Sequence, residues 1–211
     1  IATFHSFSQK LLEKYAVDIG LSSQFKLLTE TAAWLLIRRN LYSFKLEYYR
    51  PLGNPTKHIH ELLKHFSKCK DELITPADYL AYAEGLTKGS AMNIDEKNRL
   101  AELANAYHTY NQLLLDNALL DFGDLIVYAH QLLATRPHIL EQLQKKYKFI
   151  LVDEFQDVNY AQYELVKLLA DKHSQLTVVG DDDQCLPGNT LITTKEGERR
   201  IDHIKKGDLV F

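Results

Sequence analysis

The chain has 211 residues, of which 45% are hydrophobic, 10% aromatic and 25% charged, a balance that argues against a disordered or fibrous protein. Its net charge of −3 excludes an obligate polycation such as a basic DNA-packaging protein, although a local basic groove could still bind nucleic acid. Two cysteines, Cys69 and Cys185, are too few for a disulfide framework, so we expect a reducing, cytoplasmic location. No apolar run approaches the roughly 20 residues of a membrane helix, so no membrane partner is expected.

The chain up to Lys148 is predicted to be almost entirely helical. Residues 1–4 read as the end of a strand, followed by a helix to about Tyr15. From residue 24 to residue 117 apolar side chains recur at helical spacing, as in residues 59–66, where they stand at i, i+3, i+4 and i+7. Side chains suited to cap helix N-termini stand at Thr75, Asn93 and Asp121.

The pattern changes after Lys148, where two short apolar runs predict strands. Residues 149–152 and 176–179 are continuous and apolar, which is typical of strands buried on both faces of a parallel sheet. Residues 159–172 between them have a helical pattern, so the order predicts a parallel βαβ unit that binds ligands at the carboxyl ends of its strands. Beyond Cys185, polar segments with glycines predict short hairpins.

Acidic side chains follow both predicted strands at the edge where ligands bind. Asp153 and Glu154 come directly after the first strand, and such a pair can divide two tasks in nucleotide hydrolysis. One carboxylate holds magnesium, usually through water, and its neighbour activates the water that attacks the γ-phosphate. The second strand ends in residues 180–184, where Gln184 can hydrogen-bond a phosphate oxygen. Strands often end in acidic turns, so the first pair alone is a weak signal.

Four segments, in the same order, resemble motifs of the UvrD/Rep-like superfamily 1 DNA helicases. Residues 153–157 resemble motif II and residues 180–184 resemble motif III. Residues 3–6 resemble the strand-binding Thr-Phe-His-Ser motif, and residues 120–126 match a further family signature. Two positions depart from the family pattern: Phe155 stands where Tyr is commoner, and Gly123 stands where Asp is commoner.

The resemblance implies an α/β fold in which residues 1–23 and 118–184 form part of a RecA-like P-loop NTPase domain with a parallel sheet. Residues 24–117 would form an all-helical insertion. The implied activity is ATP-driven translocation along single-stranded DNA, typically 3′ to 5′, with Glu154 as general base and Asp153 holding Mg²⁺ through water. The implied contacts with ATP fall on Asp153, Glu154 and Gln184, and those with DNA on Thr3, His5 and Ser6.

Structural roles compete with these functional ones. His5 could equally be a helix-start histidine satisfied by the local backbone. Trp34 and the aromatics of residues 48–50 could stack on bases, but a role in the core is favoured. A metal site at His58, His60 and His65 is disfavoured, because no recognised ligand spacing is present.

A phosphate-binding Gly-x-x-x-x-Gly-Lys-Ser/Thr loop does not occur in these 211 residues. In the family this loop lies upstream of the segment that resembles residues 3–6, and a second RecA-like domain with an arginine finger lies downstream. We therefore expect an internal piece of a longer protein that carries half an ATP site and is inactive alone.

A second resemblance begins at Cys185, where motif III stops matching. The family continues with Ser-Ile-Tyr, whereas residues 185–192 and 204–210 resemble the start of an intein's Hint domain. The implied chemistry is attack of the Cys185 thiol on the carbonyl of Gln184, which converts an amide into a thioester. Residues 185–211 would then be the short β-rich start of a self-splicing intein that needs the remainder of the intein and helicase polypeptide. The alternative is a divergent helicase in which Cys185 replaces Ser.

Two functions from different classes follow. The first is an ATP-dependent DNA helicase interrupted by an intein. The second is a DNA-binding, P-loop-related scaffold or nuclease-associated subunit, like the AddA/RecB relatives, without motor activity. A Gly-Lys-Thr loop upstream of Ile1 would favour the first.

Overall fold

The computed structural model describes residues 1–89, 93–172, 175–181, 190–194 and 197–205. It divides into two compact units, Ile1–Lys148 with Asn159–Ser174, and Phe149–Val158 with Gln175–Phe211. The secondary structure is mostly helical with small parallel sheets, in agreement with the predicted α/β class. Within the described ranges, no helix combines the length and the apolar character needed to cross a bilayer.

Helices make up most of the first unit. They are α1 (Phe4–Tyr15), α2 (Glu30–Arg39), α3 (Ile59–Asp71), α4 (Pro76–Gly89), α5 (Ile94–Asp116), α6 (Phe122–Thr135), α7 (Pro137–Lys146) and α8 (Tyr160–Ala170). Two very short strands, β1 (Lys26–Leu27) and β2 (Leu119–Leu120), pair in parallel. Their pairing brings the two ends of the helical segment 28–118 together.

The helix starts follow the capping side chains that the sequence predicted. Asn93 accepts a hydrogen bond from the backbone N–H of Asp95, and Asp121 forms a reciprocal capping box with Asp124. These caps satisfy N–H groups that have no partner inside the helix. The strand predicted at residues 1–4 is wrong, because Thr3 caps α1 and the chain is already helical at Phe4.

Four helices of the segment 28–118 share one apolar core. Phe66 lies at its centre, with its ring stacked on those of Tyr107 and Tyr110 at centroid distances of 5.2 and 5.3 Å. The predicted apolar stripe of α3 is confirmed at Ile59, Leu62 and Phe66, which are all buried. Trp34 and Tyr49 also pack against this core, whereas Tyr48 is about half exposed. The core role favoured for these aromatics therefore holds for Trp34 and Tyr49 only.

A buried lysine joins this core to the start of α6. The Lys70 ammonium lies 2.6 Å from an Asp121 carboxylate oxygen and 2.7 Å from one of Asp124. Tyr110 also donates its hydroxyl hydrogen to Asp121. A Cβ at Gly123 would lie 2.9 Å from Cδ of Lys70, so any larger residue at this position would require the buried lysine side chain to shift.

The charges of this cluster depend on one another. Burial opposes the charge on Lys70, but Asp124 and Asp121 raise its pKa above the ordinary value. Burial raises the pKa of Asp124 to about 6. Burial also opposes ionisation of Asp121, yet the charge and hydrogen bond of Lys70 keep the pKa of this carboxyl below its ordinary value. Lys70 and Asp121 are therefore both ionised at neutral pH, whereas the carboxyl of Asp124 takes up a proton in mildly acidic solution.

The second unit contains two small sheets. Strands β3 (Ile150–Val152) and β4 (Leu176–Val178) pair in parallel, as predicted. Strands β5 (Leu191–Thr194) and β6 (Gly197–Arg200) form an antiparallel pair in the region where hairpins were predicted. The predicted burial of β3 and β4 is wrong: Leu151 is 68% and Val178 46% exposed. In the described part of this unit no third strand lies beside β3 and β4.

Candidate functional site

The ends of β3 and β4 bring the predicted motifs II and III to one sheet edge. Val152 pairs with Val178, so the residues that follow each strand are neighbours. The backbone N–H of Val179 donates to the Val152 carbonyl at 2.8 Å, and the N–H of Phe155 donates to the Val179 carbonyl at 2.9 Å. The parallel ladder thus continues beyond β3 and β4 and fixes the turn that carries Asp153 and Glu154.

Glu154 stands on this turn with a left-handed backbone, at φ 52°. A non-glycine residue in this region costs on the order of 1 kcal/mol and is found most often where the surroundings impose it. The backbone N–H of Glu154 donates to a carboxylate oxygen of Asp153 at 3.1 Å. Both side chains are exposed at the strand edge, where a ligand can reach them.

The turn is also held by the side chain of Gln156. Its amide nitrogen donates to a carboxylate oxygen of Glu154 at 2.5 Å. Its amide oxygen accepts the backbone N–H of Asp181, the second residue of motif III, at 3.0 Å. Gln156 had no predicted role, because one of its two contacts is with Asp181, which follows β4 and lies 25 positions further along the chain.

The donors at this edge fit magnesium. Mg²⁺ is usually bound by one or two carboxylates together with waters and substrate phosphates. Asp153 offers an exposed carboxylate, one oxygen of which accepts the Glu154 N–H. No group of three or more His, Cys, Asp or Glu side chains suited to a metal occurs in the parts of the chain that the structure describes. Asp153 therefore suits a magnesium ion that arrives with a nucleotide.

The three histidines considered for a metal site each contact aromatic rings. The ring of His58 stacks on Tyr48, and that of His60 lies 6.1 Å from Trp34. The Nε2 atom of His65 lies 2.9 Å from the Tyr79 hydroxyl, and burial lowers the pKa of this histidine. These contacts are those of packing residues.

The predicted DNA-binding residues lie at the start of α1, in the first unit. Thr3 accepts the N–H of Ser6 at 3.2 Å, and the Ser6 hydroxyl donates to the Thr3 carbonyl at 3.0 Å. The hydrogen bonds between Thr3 and Ser6 thus cap the N-terminus of α1. His5 meets Phe122 edge to face, at a centroid distance of 5.9 Å.

Phe122 is a candidate that the sequence analysis missed. It belongs to the signature at residues 120–126, and its ring is 48% exposed beside His5. A large apolar ring at the first position of a helix, directly after a capping Asp, could have drawn attention to it, because that position faces solvent. The partly buried ring of His5 and the exposed ring of Phe122 together form an aromatic pair suited to stacking on bases.

Two predicted site residues lie outside the described residues. Gln184, expected at the phosphates, and Cys185, expected at the splice junction, fall in the stretch 182–189. Their roles remain predictions from the sequence.

The chain is similar to several DNA helicases. It is 37% identical over 193 residues to the ATP-dependent DNA helicase PcrA of Staphylococcus aureus, covering 89% of this chain and 23% of that protein. It is 33% identical over 188 residues to DNA helicase II of Haemophilus influenzae, with the same coverages of 89% and 23%. The ATP-dependent DNA helicase Rep of Salmonella typhimurium is 33% identical over 186 residues, which are 88% of this chain and 25% of that relative.

The chain therefore spans about a quarter of the length of these relatives. The family model described as the UvrD/REP helicase N-terminal domain matches residues 1–186. This match covers most of the chain and all four motifs that were recognised in the sequence. The chain belongs to the UvrD/REP helicase N-terminal domain family.

Proposed function

We propose that the chain is part of an ATP-dependent DNA helicase that moves along single-stranded DNA, with the 3′ to 5′ polarity that the family resemblance implies. The observation that carries this proposal is the joint sheet edge of motifs II and III, where Asp153, Glu154 and Asp181 are linked by hydrogen bonds. The three relatives named above, which are all DNA helicases, support it.

In this proposal the sheet edge is half of an ATP site. Magnesium supplies positive charge that draws electrons from the γ-phosphate when it is bound with ATP. Asp153 holds that ion through water, and Gln184 contacts a phosphate oxygen. Glu154 accepts the proton of the attacking water through its carboxylate, while the left-handed turn holds that carboxylate at the strand end.

The exposed faces of β3 and β4 support the assignment of residues 1–23 and 118–184 to part of a RecA-like domain, with residues 24–117 as its helical insertion. Parallel strands are normally covered on both faces. Exposed apolar side chains such as Leu151 and Val178 are what an incomplete sheet of this kind would present. Because the sequence has no phosphate loop, the 211 residues alone should bind ATP weakly or not at all.

The single-stranded DNA contact is proposed at the aromatic pair of His5 and Phe122, of which Phe122 is exposed, with Thr3 and Ser6 beside it. We expect Phe122→Ala and His5→Ala each to weaken single-stranded DNA binding by the 5- to 150-fold that corresponds to roughly 1–3 kcal/mol per stacked base. Fluorescence anisotropy with a labelled oligonucleotide measures this in the whole helicase.

Tyr163→Ala is the matched control, since this tyrosine of α8 is similarly exposed at 44%. For Thr3, the conservative Thr3→Ser keeps the cap and Thr3→Ala removes it. Unchanged affinity and unchanged DNA stimulation of ATPase activity in both His5→Ala and Phe122→Ala would return the pair to a structural role.

We also propose that an intein begins at Cys185, in a protein that resides in the cytoplasm. The family match ends at residue 186, and the sequence beyond it forms a short hairpin that the helicase motifs do not require. The thiolate sulfur of Cys185 would bond to the Gln184 carbonyl carbon while the peptide C–N bond breaks and the released amine takes up a proton.

The expected result is that the complete precursor splices, joining Gln184 to a downstream Ser. Dithiothreitol should release a fragment that ends at Gln184 from a stalled precursor, and Cys185→Ala should abolish both reactions. Mass spectrometry of the products measures this, with Cys69→Ala as the matched control because the Cys69 thiol is buried in the helical core. An active helicase that retains residues 185–211 would contradict the intein.

A further inference from the structure

Gln156 makes two hydrogen bonds that join motif II to motif III. Its amide nitrogen donates to Oε2 of Glu154 at 2.5 Å, and its amide oxygen accepts the backbone N–H of Asp181 at 3.0 Å. The two contacts use opposite ends of one planar group. If the Gln156 amide rotates, it breaks its hydrogen bond to the Glu154 carboxylate and its hydrogen bond from the Asp181 N–H together.

The amide makes both contacts at once because it carries a donor and an acceptor at the end of one side chain. A carboxylate at position 156 would still accept the Asp181 N–H, but it would repel Glu154 and offer it no hydrogen. A methionine of similar length would make neither bond. Glutamine therefore suits this position, because the Glu154 carboxylate is a hydrogen-bond acceptor and the Asp181 N–H is a donor.

Gly180 leaves room for this side chain. A Cβ at position 180 would lie 3.0 Å from the Gln156 amide oxygen and 3.8 Å from Cβ of Phe155. The first distance is too short for the amide to stay where it is, so an alanine would push it away by a few tenths of an ångström. The glycine before Asp181 thus belongs to the same arrangement as the glutamine.

We propose that Gln156 is a positioning residue for ATP hydrolysis, which orients the Glu154 carboxylate and makes that orientation depend on the position of the Asp181 backbone. The inference rests on the proposed role of Glu154 as general base. The Gln156 bond fixes one carboxylate oxygen and leaves the other to accept a proton from water. A displacement of motif III at Asp181 would then alter the geometry of the base directly.

The test compares Gln156→Met and Gln156→Glu with the wild-type sequence in the whole helicase. Misplacement of a catalytic group by about 1 Å can lower a rate by about 10²-fold. We expect both variants to lower kcat by about 10- to 100-fold with the KM for ATP changed less than about twofold, since Gln156 is not placed on the nucleotide. Gly180→Ala should give a smaller loss of kcat, and Gln112→Met should give none.

Gln112→Met is matched because the amide of Gln112 also donates to a carboxylate, that of Asp116 at 2.7 Å, on the exposed face of α5. Hydrogen exchange at the Asp181 amide should be faster in Gln156→Met and unchanged in Gln112→Met. In a Glu154→Gln background, Gln156→Met should cause no further loss of kcat, because the group that it positions is already absent.

The outcomes separate this proposal from the assignment of Glu154. If Glu154→Gln retains normal turnover, the proposed base is wrong. If Glu154→Gln is inactive but Gln156→Met keeps its kcat, the positioning role is overturned, whatever happens to the exchange rate. A rise in KM alone, or an additive loss in the double variant, also overturns it.

Discussion

Glu154→Gln in the whole helicase is expected to lower ATP turnover by roughly 10²- to 10⁴-fold, the usual contribution of a positioned base. The substitution keeps the size and polarity of the side chain but removes its capacity to accept a proton from water. Nucleotide binding should stay close to that of the wild type, because Asp153 and the phosphate contacts are retained. A coupled ATPase assay with saturating single-stranded DNA measures turnover, and titration with a fluorescent ATP analogue measures binding.

Glu164→Gln is the matched control for this prediction. Glu164 lies on α8 in the first unit, where it accepts two hydrogen bonds from Lys167, whereas the sheet-edge site belongs to the second unit. Its loss should leave turnover unchanged. If Glu154→Gln retained near-normal activity, the motif II assignment would be wrong, and a DNA-binding scaffold without a motor would become the better account of the chain.

Lys70→Met is expected to destabilise the protein by about 3–5 kcal/mol, the range seen when one partner of a buried ion pair is removed. Methionine keeps most of the aliphatic stem that packs beside Gly123, so the variant removes mainly the charge. Asp121 would then be a largely buried carboxylate without its cation, and Asp124 would lose its ion pair with Lys70. Chemical denaturation followed by circular dichroism measures the loss of unfolding free energy.

Lys167→Met provides the contrast, because Lys167 pairs with Glu164 while its side chain is 57% exposed. Water screens such a pair, so its removal should change stability far less. Adding Asp121→Asn to Lys70→Met should restore part of the lost stability, since it removes the uncompensated charge. A loss for Lys70→Met as small as that for Lys167→Met would show that the cluster contributes little to stability.

Local features of this fold could be predicted from the sequence. The caps at Asn93 and Asp121 and the apolar stripe of α3 depend on residues within one or two helical turns, and these were correctly predicted. The parallel pairing of β3 with β4 also followed from the order of strand, helix and strand. Such features are fixed by spacing, which a sequence displays directly.

Contacts between distant segments could not be predicted in this way. Lys70 and Asp121 are 51 positions apart. Lys70 follows Phe66 by four residues and so lies on the buried stripe of α3, but this spacing does not identify Asp121 as its partner. The same holds for Gln156 and Asp181. Conversely, the continuous apolar runs of β3 and β4 predicted burial, whereas most side chains of these strands are exposed. An apolar strand is suited to packing on both faces, but its sequence does not show whether the described residues cover those faces.

The pairing of β1 with β2 sets a limit on how far the helical segment 28–118 can change in length. Parallel strands cannot be joined by a tight turn and need a connection of about a dozen residues or more, so even a drastic shortening must leave a crossover. The shortened segment would also have to supply a cation in place of Lys70, or Asp121 would have to become neutral. Deletions that remove Lys70 from α3 or Tyr110 from α5 should therefore be the least tolerated in this segment.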